Sequence, residues 1–289
     1  MKKAVLVGIN YLSEPTARLN GCINDINNIS TVLTTYYGYS SSNIVKLTDD
    51  NADPALKPTA RNILAQLSGL IAGSKDCSEI WFHYSGHGSQ VRDGNRDEAD
   101  GLDEVIVPMD FATSGLISDD IIYNIVKNSK CKTMLIFDSC HSGSVCDLQY
   151  GFEYLPTGQF RRGLVSQNKC PNPAVISISG CKDPQTSADA YDTGLKTYIG
   201  AFTQTFINCL SKLGYNANIL KVYADTVVAL KRGGFTQVPI LSCSSLIPVF
   251  DFINKSTVKS NIGLASNING SGRDLPVGPR KPTMKMVFM

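Results

Sequence analysis

The chain has 289 residues, 43% hydrophobic and 18% charged, the ordinary balance of a globular protein. A net charge of +2 is too small to point to nucleic acid or a membrane surface as partner, and no apolar run reaches the ~20 residues of a membrane span. Nine cysteines with no C-x-x-C pair argue against a disulfide framework or a zinc site, and for plain thiols in a reducing cytosol.

The first expected element is a strand over Ala4–Ile9. The opening MKKAVLVGIN has the lysines of a signal peptide, but its apolar run is only about six residues and leads to polar Asn10 without a cleavage site. A helix is expected from near Asn24, then a strand over Ile44–Leu47. A helix over Thr59–Ile71 follows Pro58 and stops at Gly73. Strands over Ile80–Tyr84 and Val105–Val107 come next, then Ser118 as N-cap of a helix Asp119–Lys127 with acids in its first turn. After a strand at Met134–Phe137, residues 148–173 lack periodicity; a connection this long is usually functional or disordered. A strand at Val175–Ile178 precedes two helices. Tyr198–Leu213 puts Ile199, Phe202, Phe206 and Leu210 on one stripe and ends at Gly214; Asn218–Lys231 ends at Gly233-Gly234. The last strand is Val238–Leu241, and from about Ser256 the composition is that of a disordered tail. Apolar runs without alternation fit strands buried on both faces, so the pattern predicts a doubly wound α/β sandwich with a mostly parallel sheet.

Chemistry concentrates at FDSCHSG, residues 137–143. A free thiol is only a few per cent thiolate at neutral pH, so a nucleophilic Cys140 needs a base. Three histidines exist. His141 is adjacent to Cys140 and points to the opposite face in extended chain, and His83 sits inside an apolar strand as a core histidine. His87, between Gly86 and Gly88, lies just past one strand as Cys140 lies just past another. Sites of open α/β sheets form beyond the carboxyl ends of the strands, so neighbouring strands would unite the two.

The segments HYSGHG and DSCHSG resemble those of the metacaspases, caspase-like cysteine peptidases. LNGCINDI at 19–26, DGLDEVIVPMD at 100–110, SDDI at 118–121 and ISGCKDPQTSADA at 178–190 extend the resemblance over most of residues 3–250. The caspase nucleophile signature Q-A-C-x-G is absent, so cleavage after aspartate is not implied. The resemblance implies a caspase-like three-layer sandwich and a Cys140–His87 dyad, with the oxyanion held near Gly88 and Cys140. It implies a catalytic core without the family's prodomain, spanning residues 1–255. Within it, residues 1–147 are large-subunit-like, residues 148–173 a linker and residues 174–255 small-subunit-like; the tail 256–289 follows.

A carboxylate beside a nucleophilic thiol hinders its ionisation, so Asp138 needs another reason to be there; selecting a cationic P1 side chain is one. The metacaspase resemblance adds Cys22, Asp25 and Ser85 to that pocket and implies cleavage after Arg or Lys. Asp25 read alone is also a helix-start acid. Residues 92–104 carry six acids; Asp93, Asp97 and Glu98 read as solvated. The resemblance places Asp103, Asp119, Asp120 and Asp147 at a calcium site, a hard cation suited to carboxylates. Arg161, Arg162 and Lys169 in the linker are candidate self-cleavage positions. The expected protein is a monomeric, cytoplasmic, calcium-stimulated endopeptidase acting on polypeptides. The alternative is a caspase-like binding or scaffold protein with little turnover.

Overall fold

Strand and helix alternate through the chain as the apolar runs require. The computed structural model describes residues 1–92, 102–139, 146, 148–180, 189–192 and 197–256. In chain order the elements are β1 (Lys2–Gly8), α1 (Cys22–Tyr36), β2 (Ile44–Thr48), α2 (Ala60–Ala72), β3 (Glu79–Ser85), β4 (Gly88–Arg92) and β5 (Leu102–Ile106). Then come α3 (Phe111–Ser114), β6 (Ile117–Ser118), α4 (Asp119–Val126), β7 (Lys132–Asp138), β8 (Tyr150–Tyr154), β9 (Phe160–Leu164) and β10 (Val175–Ser179). The chain continues through β11 (Asp189–Asp192), β12 (Thr197–Gly200), α5 (Ala201–Lys212), β13 (Ala217–Asn218), α6 (Ile219–Arg232), β14 (Ile240–Cys243) and β15 (Asp251–Phe252).

The central sheet has the order β2-β1-β3-β7-β10-β14-β8-β9. Its first five strands run parallel, and β14, β8 and β9 add antiparallel pairings at one side. Alternate residues of β1 explain why its run is apolar without interruption. Ala4 and Leu6 face a core packed by α1, α5 and α6, whereas Val5 and Val7 face one packed by α2 and α4. Every residue of β10 and the last six of β3 and β7 are buried. The result is the three-layer sandwich expected.

Helix starts follow local chemistry. Thr59, Ser118 and Asn218 each cap a helix by accepting a backbone N–H from Asn62, Ile121 and Lys221. Three expectations are corrected. The aperiodic segment 148–173 is not an unstructured connection, because β8 and β9 within it form an antiparallel hairpin on the sheet edge. Its strands give no sequence signal because β9 is exposed along its whole length and carries no burial pattern. The helix expected from Tyr198 starts at Ala201, since residues 197–200 pair with β11. The last expected strand, Val238–Leu241, is shifted to Ile240–Cys243, and β15 follows it.

Residues 1–256 form one compact unit; of the expected tail 256–289, residues 257–289 lie outside the described residues. Among the described residues no helix is long and apolar enough to cross a membrane, and none of the seven cysteines forms a disulfide.

Candidate active site

Register decides where the chemistry gathers. Gly8, Ser85 and Asp138 are mutual partners at the carboxyl ends of β1, β3 and β7. The turn after β3 carries His87, and Gly86 N–H donates to the Asp138 carbonyl across the two strand ends (3.3 Å). The strands that end just before His87 and Cys140 are therefore neighbours, as the sequence pattern requires. Cys140 and Asp147 lie outside the described residues, Cys140 two positions beyond the end of β7.

The His87 ring is oriented by the chain before α1. Its Nε2 is 2.7 Å from the carbonyl oxygen of Ala17. A carbonyl only accepts, so Nε2 carries the proton and Nδ1 is the basic nitrogen of the neutral ring. Burial lowers the His87 pKa, and the Ala17 carbonyl opposes that by favouring the charged ring. Tyr11 braces the same turn. Its hydroxyl donates to the Val107 carbonyl at 2.6 Å and accepts from His87 N–H at 2.9 Å, and its ring lies 4.6 Å from the imidazole. Tyr84 Oη, 3.1 Å from Tyr11 Oη, donates to the His87 carbonyl at 2.7 Å. Tyr11 holds φ at 51°, a left-handed conformation uncommon for a bulky residue, and the three contacts of its hydroxyl fix it there.

Gly88 opens β4 opposite Ile106, while His87 one step before accepts from Val107 N–H. In the alternation of antiparallel pairs Gly88 then occupies a position without ladder bonds, so its N–H points away from β5. Among the described residues β4 has β5 as its single sheet neighbour, so that N–H lies on the unpaired edge of β4.

Asp25 and Asp138 converge from different elements. Asp25, in the first turn of α1, is 1% exposed and Asp138 4%. Asp25 accepts from Ser85 Oγ (2.7 Å) and Gly200 N–H (2.8 Å); Asp138 accepts from Thr203 N–H (3.0 Å) and Thr203 Oγ1 (2.7 Å). These hydrogen bonds orient the two carboxylates. Gly200 stands between the two acids. A Cβ there would lie 2.5 Å from Asp25 Oδ2 and closer still to Asp138 Oδ2, so both carboxylates fit because the residue is glycine. Cys22 is at the start of α1, its N–H accepted by Asn10 Oδ1 (3.1 Å). Gly8 admits this helix end, for its Cβ would meet the Cys22 carbonyl oxygen at 2.7 Å. Cys22, Asp25, Ser85 and Asp138 thus occupy adjoining ends of α1, β3 and β7.

His83 is a core residue, but not a fully satisfied one. It is 0% exposed, Nε2 lies 3.3 Å from Thr203 Oγ1, and Nδ1 has no partner among the described residues. Burial lowers its pKa to about 3, so it is neutral.

The other acids gather where β5 meets α4. Asp119 accepts from Glu104 N–H (2.9 Å) and Asp120 N–H (2.7 Å). Burial raises its pKa to about 7, against the backbone donors and with the charge of Asp103 adding to the rise. Glu104 is 1% exposed and is hidden within the acidic run; it shares one face of β5 with Leu102 and Ile106 among residues of mixed burial, so composition alone does not single it out. Tyr11, Tyr84, Gly200 and Thr203 also escape sequence reading, since none belongs to a residue type that announces chemistry. Arg161 and Arg162 lie in β9, with Arg161 paired to Glu153, whereas Lys169 is exposed in irregular chain.

Known proteins agree with this architecture. A family model described as "Metacaspase, peptidase C14 domain" matches residues 2–149. Metacaspase-1 of Cryptococcus neoformans is 38% identical over 289 aligned positions, covering 84% of this chain and 62% of that protein. Metacaspase-1 of Scheffersomyces stipitis is 35% identical, covering 84% of this chain and 70% of its own length. The chain thus spans somewhat under two thirds of the Cryptococcus relative. Among solved structures, caspase-1 of Spodoptera frugiperda superposes with a TM-score of 0.53 at 12% identity, covering 85% of this chain and 87% of that one. A Geobacter sulfurreducens protein reaches 0.58 at 21% identity, covering 85% and 94%. At such identities these two structures speak for the fold alone. With the caspase-like sheet and the matching motifs over most of its length, the chain belongs to the metacaspase family.

Proposed function

We propose that the chain is a cysteine endopeptidase that cleaves after Arg or Lys through Cys140 and His87. The observation that carries the reading is the pair of buried carboxylates, Asp25 and Asp138, packed around Gly200 beside the His87 turn. Two buried carboxyl groups side by side suit a guest guanidinium or ammonium, and disfavour an acidic P1 residue. In the reaction, Cys140 Sγ attacks the scissile carbonyl carbon and its proton passes to His87 Nδ1. The imidazolium protonates the leaving amine as the C–N bond breaks, leaving a thioester. Water, deprotonated by His87, attacks the thioester, and the thiolate recovers the proton. The edge N–H of Gly88 and that of Cys140 are the proposed oxyanion donors.

Calcium is proposed as an activator, held by Asp103, Asp119, Asp120 and Asp147. The donor set is carboxylate without His or Cys, and the buried Asp119, with its raised pKa, gains from a cation. Among the described residues no three such groups stand close enough to hold an ion, and Asp147 lies outside those residues. A bound ion would neutralise the carboxylates; the bond chemistry stays with Cys140 and His87. Self-cleavage is proposed at Arg161, Arg162 or Lys169, with Lys169 the most accessible, since Arg161 and Arg162 must first leave a β ladder. The proposal takes the enzyme as a cytoplasmic monomer acting on polypeptides, with neither nucleic acid nor membrane as partner.

A panel of fluorogenic peptides differing at P1, assayed with calcium and with EGTA, tests the reading. Turnover with Arg and Lys alone, lost in Cys140→Ala, is the expected result; equal turnover after Asp would overturn it.

A further inference from the structure

The opposite end of the sheet carries a cavity with a mixed lining of polar and apolar side chains. Lys2, Glu79 and Lys132 are register partners in the first row of β1, β3 and β7, at the amino ends of the strands. Together with Trp81, Tyr37 and Lys255 they line a cavity of about 190 Å³, closed on one side by the segment around β15. Trp81 lies two residues on from Glu79 and so shares its face of the sheet. Tyr37 is the C-cap of α1, and Lys255 N–H donates to the Tyr36 carbonyl (2.6 Å), tying the closing segment across that helix end.

Two observations point to a ligand. Trp81 is 1% exposed and Tyr37 3%, yet among the described residues neither the indole Nε1 nor the phenol Oη has a hydrogen-bond partner. A buried donor without a partner costs about 1–3 kcal/mol, and both residues line this one cavity. The second observation is charge. Glu79 is already engaged: its Oε1 accepts from Lys2 Nζ (2.8 Å) and Tyr39 Oη (2.9 Å). Of the other charged residues that line the cavity, two are lysines, Lys132 and Lys255, against one acid, Asp251.

We propose that this cavity is a binding site for a small oxyanion, a phosphate or carboxylate compound of a few heavy atoms. The indole N–H only donates, so it selects an acceptor; the Tyr37 hydroxyl supplies a second donor and Lys132 and Lys255 the countercharge. The site is separate from the proposed catalytic centre, which lies at the carboxyl ends of the same strands.

Trp81 is the single tryptophan of the chain, so its indole reports on the cavity alone. The full-length protein, labelled with ¹⁵N-tryptophan, is titrated with inorganic phosphate in one arm and succinate in the other, against chloride at matched ionic strength. The expected result is a saturable downfield shift of the one indole N–H resonance with at least one anion, and a rise in melting temperature. Lys132→Met and Lys255→Met should each weaken the apparent affinity about tenfold, and Tyr37→Phe less. Lys255 lies in an end segment outside the sheet, so its variant keeps the test alive if Lys132→Met does not fold. Response to phosphate alone or to succinate alone names the ligand chemistry. No saturable shift in either arm, or equal shifts in the lysine variants, would overturn the proposal.

Discussion

Gly200→Ala separates specificity from catalysis with the smallest possible perturbation. Gly200 has φ of −68° and ψ of 128°, which alanine adopts freely, so backbone strain does not enter. What enters is one methyl group. Ordinary contact begins near 3.4 Å, whereas the new Cβ would sit 2.5 Å from Asp25 Oδ2, so that oxygen must retreat by about 0.9 Å and the nearer Asp138 Oδ2 by at least as much. Overpacking of this size costs about 1–3 kcal/mol. For a domain of this size it should lower Tm by roughly 2–4 °C per kcal/mol. A displacement near 1 Å of the groups that position a substrate can cost about 10²-fold, the expected loss in kcat/KM for Arg at P1. The assay is steady-state cleavage of an Arg peptide alongside the rate of Cys140 alkylation by iodoacetamide, which reads the dyad without using the pocket. A folded Gly200→Ala enzyme with wild-type kcat/KM for Arg would refute the claim that Asp25 and Asp138 bind the P1 cation. Equal loss of alkylation rate and cleavage would place the damage at the dyad instead.

Other outcomes follow from the same geometry. Cys140→Ala and His87→Ala should each abolish peptide cleavage with the circular-dichroism spectrum unchanged, whereas His141→Ala should keep turnover. Tyr11→Phe leaves the Val107 carbonyl and His87 N–H short of a partner, which should cost about 1–3 kcal/mol in chemical denaturation and lower kcat more than it raises KM. Because burial lowers the pKa of His87 and the base acts when neutral, the acid limb of kcat/KM should fall below pH 6.5; a midpoint above that would contradict the burial seen. His83 protonates near pH 3 when folded but at its ordinary 6.5 when unfolded. Between these values the unfolded chain holds the extra proton, so stability is full above pH 6.5 and lost as pH falls toward 3. His83→Asn should flatten that slope in urea titrations at stepped pH. Asp119→Asn with Asp120→Asn should leave a folded protein whose low activity added calcium does not restore, and wild-type activity in excess EGTA would remove calcium from the proposal.

The fold was legible in the sequence wherever burial is two-sided. β1, β3, β7 and β10 are apolar at consecutive positions because both faces are covered, and no helix or loop explanation fits runs of that length. The helix starts at Thr59, Ser118 and Asn218 were equally readable, because a capping side chain acts within three residues of itself. Local chemistry also singled out His87, between two glycines just past a strand. Where pairing is long-range, composition was silent. The β8–β9 hairpin is held by its neighbours in the sheet and not by an apolar pattern of its own, so residues 148–173 gave no period to read. The acids of the candidate pocket needed three elements to arrive at one place: the first turn of α1, the last residue of β7 and the glycine before α5. Gly200 N–H reaches Asp25 across 175 residues of chain, and Trp81 meets the segment ending in Lys255 at the amino ends of the strands. A sequence records which side chains want burial or a partner; only the packed sheet decides which ones they meet, because strand order and register are properties of the whole chain.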